Sequence, residues 1–280
     1  MKYKFVYDES YLNAHFELSY EEKKIVLITV LGRHNAIFFG YKPERLVRAI
    51  KMLKGENVPF IESNENVCIE DFCGGGPQLK QGLVTDADKG ILYMKNVHEH
   101  KSSVLEMTSV PISNKQITLC RGGESVTYPA DIQLIGTTTS CPCGNYLSTS
   151  NPCLCSLASI KNHWRKVNIV AERCDIVYKC ADDVTRRQWG LAELMNEISE
   201  VNNFSASVCD ISKDRFTPQA EVVVDRWKEE HPVSNKTEEL LGRLLKVAKT
   251  LAITNCHYHI NSCDVLCAFS FYKPLNPNII

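Results

Sequence analysis

Excess charge is the first thing this chain of 280 residues lacks: 32 Lys and Arg against 33 Asp and Glu leave a net charge of −1. Broad electrostatic capture of nucleic acid or of an anionic membrane therefore has no support in the composition. Long apolar runs are missing as well. No stretch approaches the length of a membrane span, and the opening MKYKFVYDES has no apolar leader core. The expectation is a soluble cytoplasmic protein without a membrane partner. Low-complexity tracts are absent too, and 44% hydrophobic with 23% charged residues is a globular composition. The length suits one large domain or two ordinary ones.

Cysteine is what the chain has in plenty, with 13 residues. In a small secreted protein that count would indicate a disulfide framework, but no leader supports that compartment. Nine of them (Cys68, Cys73, Cys120, Cys174, Cys180, Cys209, Cys256, Cys263 and Cys267) are scattered singly among apolar neighbours and read as reduced core residues. The other four form two Cys-x-Cys pairs, Cys141/Cys143 and Cys153/Cys155, separated by nine residues.

Hydrophobic patterning predicts an edge strand in KYKFVY, a helix over 20–31 capped by Ser19, and a buried strand over 34–40 ending in glycine. The β-branched content of 20–31 would also suit a strand. A helix over 45–53 and a strand over 89–94 follow, then a short helical patch at 102–108. A β-hairpin over 116–128 closes on a glycine turn, and a strand over 131–136 runs into the cysteine-rich loop. Residues 169–178 lead into a further strand. From about 182 the pattern turns helical, with helices over 185–200, 217–230 and 234–252 and a last one from 261 or 262.

Strand, glycine turn and helix in that order are the frame of a phosphate-binding loop, which needs several glycines and a Lys-Ser/Thr pair. Here the turn reads Gly40-Tyr41-Lys42-Pro43-Glu44-Arg45: one glycine, a proline without an N–H, and an acid beside the phosphate position. An ordinary solvated turn is the favoured reading. The strand over 89–94 ends in Lys95-Asn96, where an NTPase would carry Asp-Glu for magnesium and water. His98, Glu99 and His100 lie past that strand end and read as a polar turn.

Laid out in order, Gly32-Arg33-His34-Asn35, Gly74-Gly75-Gly76, Gly90-Ile91-Leu92-Tyr93-Met94 and Ser125-Val126-Thr127-Tyr128-Pro129-Ala130 carry a resemblance. So do Gln133-Leu134, Cys141-Pro142-Cys143-Gly144, Glu172-Arg173-Cys174-Asp175 and Arg243-Leu244-Leu245-Lys246-Val247-Ala248-Lys249-Thr250. The pattern is similar to the AAA+ ATPase module of the magnesium-chelatase-related, ComM-like family, from about residue 20 to 273. The resemblance implies a P-loop NTPase-like α/β fold: a three-layer core with a mostly parallel sheet over 1–181, followed by a helical lid over 182–280. It also implies the nucleotide positions. The phosphate loop falls on 40–47 with Gly40 and Lys42, the magnesium acids on Lys95 and Asn96, and the polar sensor on Thr139. A His-His pair falls on Asn64-Glu65, an arginine of the helical part on Glu239, and an arginine finger toward a neighbour's nucleotide on Arg173. The alternative for Arg173 is an ion pair with Glu172 or Asp175.

Because phosphoryl transfer needs cradle, lysine and metal together, these departures argue against ATP and magnesium binding and against hydrolysis. The favoured function is a pseudo-ATPase acting as scaffold or regulatory partner in an oligomer with itself or with other AAA+ subunits. Two alternatives stay open: a divergent active ATPase that remodels DNA, and a zinc-stabilised DNA-binding module whose 116–127 hairpin offers Lys115 and Arg121. Four cysteine thiolates match the soft, tetrahedral preference of structural zinc, with His163 as a reserve ligand. Reduced loop cysteines or a redox-formed disulfide are the other readings of the same residues.

Overall fold

Five short parallel strands, all but the edge strand Phe60–Ser63 buried on both faces, position the rest of the molecule. The computed structural model describes residues 14–55, 57–207 and 216–272; the KYKFVY segment and Cys209 lie outside them. The first half runs β1 (His15–Leu18), α1 (Tyr20–Leu31), β2 (Ala36–Gly40), α2 (Glu44–Leu53), β3 (Phe60–Ser63), α3 (Ile69–Cys73), α4 (Leu83–Asp86), β4 (Ile91–Met94), α5 (Ser102–Met107) and α6 (Ser109–Asn114). The second half runs β5 (Gln116–Arg121), β6 (Glu124–Pro129), β7 (Gln133–Thr138), α7 (Leu157–Ala171), β8 (Ile176–Cys180), β9 (Arg187–Gly190), α8 (Leu191–Ser207), α9 (Pro218–Glu230), α10 (Asn235–Thr254) and α11 (Ser262–Ser270). The main sheet has the order β8-β2-β7-β4-β3, every neighbouring pair parallel.

Strand side chains alternate between two apolar cores, as a sheet covered on both faces requires. Ala36, Phe38, Ile91, Tyr93, Ile135, Ile176 and Tyr178 face one core. Ile37, Phe39, Leu92, Met94, Leu134 and Val177 face the other. Helix α7 closes the second core with Ile160, Trp164, Val167 and Val170, and Trp164 meets Phe39 edge-on at 4.9 Å. The result is a three-layer α/β core followed by a helical C-terminal region.

Helix α1 shows why its composition was ambiguous between helix and strand. Its residues Ile25 to Val30 are all buried, because the α2 side and the C-terminal helices cover it from different directions. A helix covered all round needs no polar face. Ser19 and Glu22 form a capping box that fixes its start. The same core contains Val247, Leu251, Val265 and Phe271 of the C-terminal region. A polar tie joins them: His34 Nδ1 lies 3.1 Å from Asp175 and Nε2 2.8 Å from Thr250 Oγ1, while Lys246 reaches Asp175 at 3.2 Å. A side chain at Gly32 would come within 2.2 Å of His34, so the Gly32-to-Asn35 motif is a packing requirement.

Several expectations need correction. The strand expected over 131–136 is Gln133–Thr138, because Asp131 is held outside by Arg33 and by its own N–H on Asp88. Residues 169–171 end a 15-residue helix that the cysteine loop had masked, and the strand begins only at Ile176. The helix expected from 185 starts at Leu191; residues 187–190 instead pair antiparallel with β1, with Trp189 buried and bonded to Leu18 O at 3.0 Å. Strands β1 and β3 were not anticipated. Of the scattered cysteines, Cys73, Cys174 and Cys180 are buried, but Cys120, Cys256 and Cys263 are exposed.

Candidate metal centre at the sheet edge

Strand order locates the site. From β2 the chain crosses to β3 at the far edge, whereas from its neighbour β7 it leaves the other way, to β8. Oppositely directed exits open a crevice at the carboxyl ends of β2 and β7, where α/β sheets carry ligands. Gly40 ends β2, and Lys42, Lys95, Asn96 and Thr139 follow strands at this edge, together with the cysteine-rich loop. Arg173 precedes β8 and so lies at the opposite edge. Its guanidinium bonds Ile169 O in the last turn of the preceding helix α7, while Asp175 takes His34 and Lys246 and Glu172 pairs with Lys236 at 3.6 Å. The expected alternative of an Arg173 ion pair with Glu172 or Asp175 is therefore corrected.

The turn after β2 spends its polar groups inward. The Tyr41 N–H donates to Cys180 O at 2.9 Å, and any side chain at Gly40 would come within 2.5 Å of that carbonyl. Gly40 has φ +95° and Lys42 +43°, so the turn is left-handed at both positions. Arg45 Nη1 donates to Tyr41 O at 2.6 Å and to Lys42 O at 3.2 Å, and Nη2 reaches Glu22, which is fully buried. Arg186 donates to the same carboxylate at 3.3 Å. A phosphate-binding loop aims N–H groups at its ligand; here one N–H and two carbonyls of the turn have partners inside the protein.

At the end of β4, Lys95 is exposed, and Asn96, in the left-handed region at φ +50°, donates to Glu99 at 3.1 Å. The residues beyond form more than a polar turn: His100 is buried, and His98 bonds Thr138 Oγ1 at 2.9 Å with its ring 4.6 Å from that of His163. Burial, then the neighbouring His163, holds His98 down to about 4. Burial also lowers His34, His100 and His163. The Thr139 hydroxyl is buried with no partner among the described residues. His163 Nε2 sits on Thr139 O at 2.8 Å and is not among the residues that group with the cysteines, so its reading as a reserve ligand is corrected.

Cys141, Cys143, Cys153 and Cys155 are brought together. Their sulfurs lie within 4.8 Å of one another, with separations of 3.4 Å (141–143), 3.6 Å (141–153) and 3.7 Å (143–153). Zinc–sulfur bonds of about 2.3 Å in a tetrahedron place sulfurs about 3.8 Å apart, so the four residues fit a metal such as zinc. Backbone N–H groups support the sulfurs: Tyr146 donates to Cys141 at 3.2 Å, and those of Asn145 and Leu154 hold Cys143 down to about 6. Helix α7 anchors the loop, its Trp164 Nε1 donating to Ser140 O at 2.8 Å. Between loop and turn lies a cleft of about 170 Å³ that includes Gly40, Lys42, Tyr146, Ser148 and Asp182.

An all-parallel sheet of this order, a glycine-ended turn before the helix that follows β2, and a helical region after the core define an AAA+ type of fold. The chain belongs to the family described as "Magnesium chelatase, subunit ChlI", which matches residues 48–187, half of its length. Among curated relatives, the protein YifB of Salmonella typhimurium is 32% identical over 95 residues, 34% of this chain and 19% of that protein. Competence protein ComM of Haemophilus influenzae is 27% identical over 93 residues, 33% of this chain and 18% of the relative. An uncharacterized protein of Mycobacterium tuberculosis is 27% identical over 111 residues, 39% and 22% respectively. The matches thus span about a fifth of the length of these relatives.

Sequence reasoning passed over Glu22, Arg186 and Asp182. Glu22 was visible only as a first-turn acid, and nothing in the residue string brings Arg186, 164 positions away, against it. Asp182 had a fainter signal, an acid just past a buried strand at the ligand edge.

Proposed function

We propose that this chain is a non-hydrolysing member of its family that works as a scaffold or regulatory subunit, assembling with AAA+ subunits of its own or another kind. The observation that carries this is the turn at 40–45, whose glycine is packed on Cys180 O and whose carbonyls are tied down by Arg45. Lys95 and Asn96 offer no carboxylate to magnesium, and the adjoining cleft of about 170 Å³ is smaller than the roughly 300–1,000 Å³ of ordinary small-molecule sites. The family match starts at residue 48, just past the turn. In this reading residues 1–181 are the degenerate core, 182–280 the helical lid, and the setting is cytoplasmic; among the described residues no helix is long and apolar enough to cross a membrane.

The same reading gives the four cysteines a structural zinc ion. Cys141, Cys143, Cys153 and Cys155 would hold it, and four thiolates leave no position for a reacting water, so the ion would brace the loop. A DNA partner draws less support, since Lys115 of the hairpin lies 3.6 Å from Asp131 and Arg121 is left as its outward cation. Calorimetric titration of the zinc-loaded protein with ATP and Mg²⁺ tests the main reading. No heat of binding is expected; micromolar affinity accompanied by turnover would overturn it.

A further inference from the structure

We infer that Asp182 supplies from within the chain the anion that a ligand's phosphate would bring to the crevice, and so latches the loop 144–151 shut over the strand ends. This rests on the non-hydrolysing reading and adds to it what fills the crevice. Asp182 lies two residues past the end of β8. Its carboxylate accepts from Ser148 Oγ at 2.6 Å, Thr149 Oγ1 at 2.8 Å, and the backbone N–H groups of Ser150 at 3.3 Å and Thr149 at 3.4 Å. Ser148 Oγ itself accepts the N–H groups of Ser150 and Asn151, each at 3.2 Å, which leaves its own proton for the carboxylate. Linked donors of this kind polarise one another.

Consecutive backbone N–H groups and hydroxyls converging on one point are the chemistry by which loops bind phosphate and carboxylate oxyanions. Here that point is occupied in cis. The Ser148 and Thr149 hydroxyls hold the Asp182 carboxyl well below the usual carboxylate range. Lys179 Nζ, on the strand beside Asp182, donates to Leu147 O at 2.5 Å and draws the same loop down. The loop is therefore fastened twice: by the cysteine cluster where its two ends meet, and by Asp182 at its tip. Ser148, Ser150 and Asp182 share one cleft with Gly40 and Lys42 of the turn, so the latch lies where the anion of a bound nucleotide would be sought.

Hydrogen exchange of the zinc-loaded full chain tests the latch, with metal content measured on every sample. In Asp182→Ala the amides of 149 and 150 should exchange at least tenfold faster at unchanged metal content. Millimolar inorganic phosphate, against chloride of equal ionic strength, should restore their protection by filling the freed donors. A Ser148→Ala/Thr149→Val variant should open the loop in the same way without recovery in phosphate, and the wild type should not respond to it. Asp182→Asn, which keeps the size of the side chain, replaces the alanine variant if that one fails to fold. Unchanged exchange on loss of the carboxylate overturns the latch; faster exchange without phosphate recovery, or a phosphate response in the wild type, overturns the anion reading. ATP turnover by the wild type would sink the non-hydrolysing reading and leave these exchange rates as they are.

Discussion

In the turn after β2, the Tyr41 N–H is taken up by Cys180 O, the Tyr41 and Lys42 carbonyls by Arg45, and Arg45 in turn by Glu22. In the loop after β7, on the same sheet edge, four sulfurs converge within 4.8 Å and collect N–H donors from the surrounding backbone. The two segments satisfy their polar groups in different ways. A buried donor without a partner costs about 1–3 kcal/mol, which the Tyr41 N–H avoids by bonding Cys180 O. Four adjacent thiolates repel one another, and a cation at their centre would turn the arrangement into a stabilising one.

Each side of that comparison can be broken separately, and the cysteine side should give the largest effect. Cys153→Ser/Cys155→Ser should abolish zinc in metal analysis of the purified protein and lower stability in urea by about 4 kcal/mol or more, the scale of losing a structural metal. Retained zinc with unchanged stability would remove the metal from the account. On the turn side, Glu22→Ala leaves Arg45 and Arg186 facing each other without their buried counter-ion. Breaking such a pair costs about 3–5 kcal/mol, read as a lower urea midpoint. Zinc content should not move.

Proton linkage gives a smaller effect, carried by buried histidines at both ends of the sheet. His34, His98, His100 and His163 all have lowered pKa values, with burial as the first cause. Between their ordinary value near 6.5 and the folded value of His98, about 4, the unfolded chain binds more protons than the folded one. Stability should therefore be full above about pH 6.5 and fall as pH drops toward 4. Urea midpoints measured across that range check the slope, and His98→Gln should flatten part of it. The smallest effect is expected at the hairpin. Lys115→Ala/Arg121→Ala should change stability by no more than about 0.5 kcal/mol, since an exposed pair at 3.6 Å contributes little. DNA retention that is salt-dependent in the wild type and lost in this variant would instead favour the nucleic-acid reading.

Much of this was legible in the residue string. The unbroken apolar runs Ala36-Ile37-Phe38-Phe39 and Ile91-Leu92-Tyr93-Met94 announced buried strands, and the Cys-x-Cys pairs announced a candidate metal cluster, because both signals are local in sequence. Helix α7 was hidden because its Ser156 cap directly follows the last cysteine of the loop and reads as part of it. Strand β9 was hidden because Arg187-Gln188-Trp189 becomes a strand only by pairing with β1, where Trp189 lies opposite Phe16 and Gln188 opposite Glu17. Propensity over a few residues cannot report a partner so distant.

The sequence by itself determined the fold class, the family likeness, the single glycine of the 40–45 turn, the Lys95-Asn96 end of β4, and the two Cys-x-Cys pairs. Each depends on which residues are present and on their spacing along a strand or turn. Only the tertiary structure decided what those positions do instead. It placed Cys180 O against Gly40, Glu22 between Arg45 and Arg186, His163 on the Thr139 carbonyl rather than with the cysteines, and Asp182 against the Ser148 and Thr149 hydroxyls. These partners come from strands and helices far apart in the chain, and hydrogen bonds act over about 3 Å. Side chains that the sequence keeps apart acquire those distances only when the sheet and both its cores have formed.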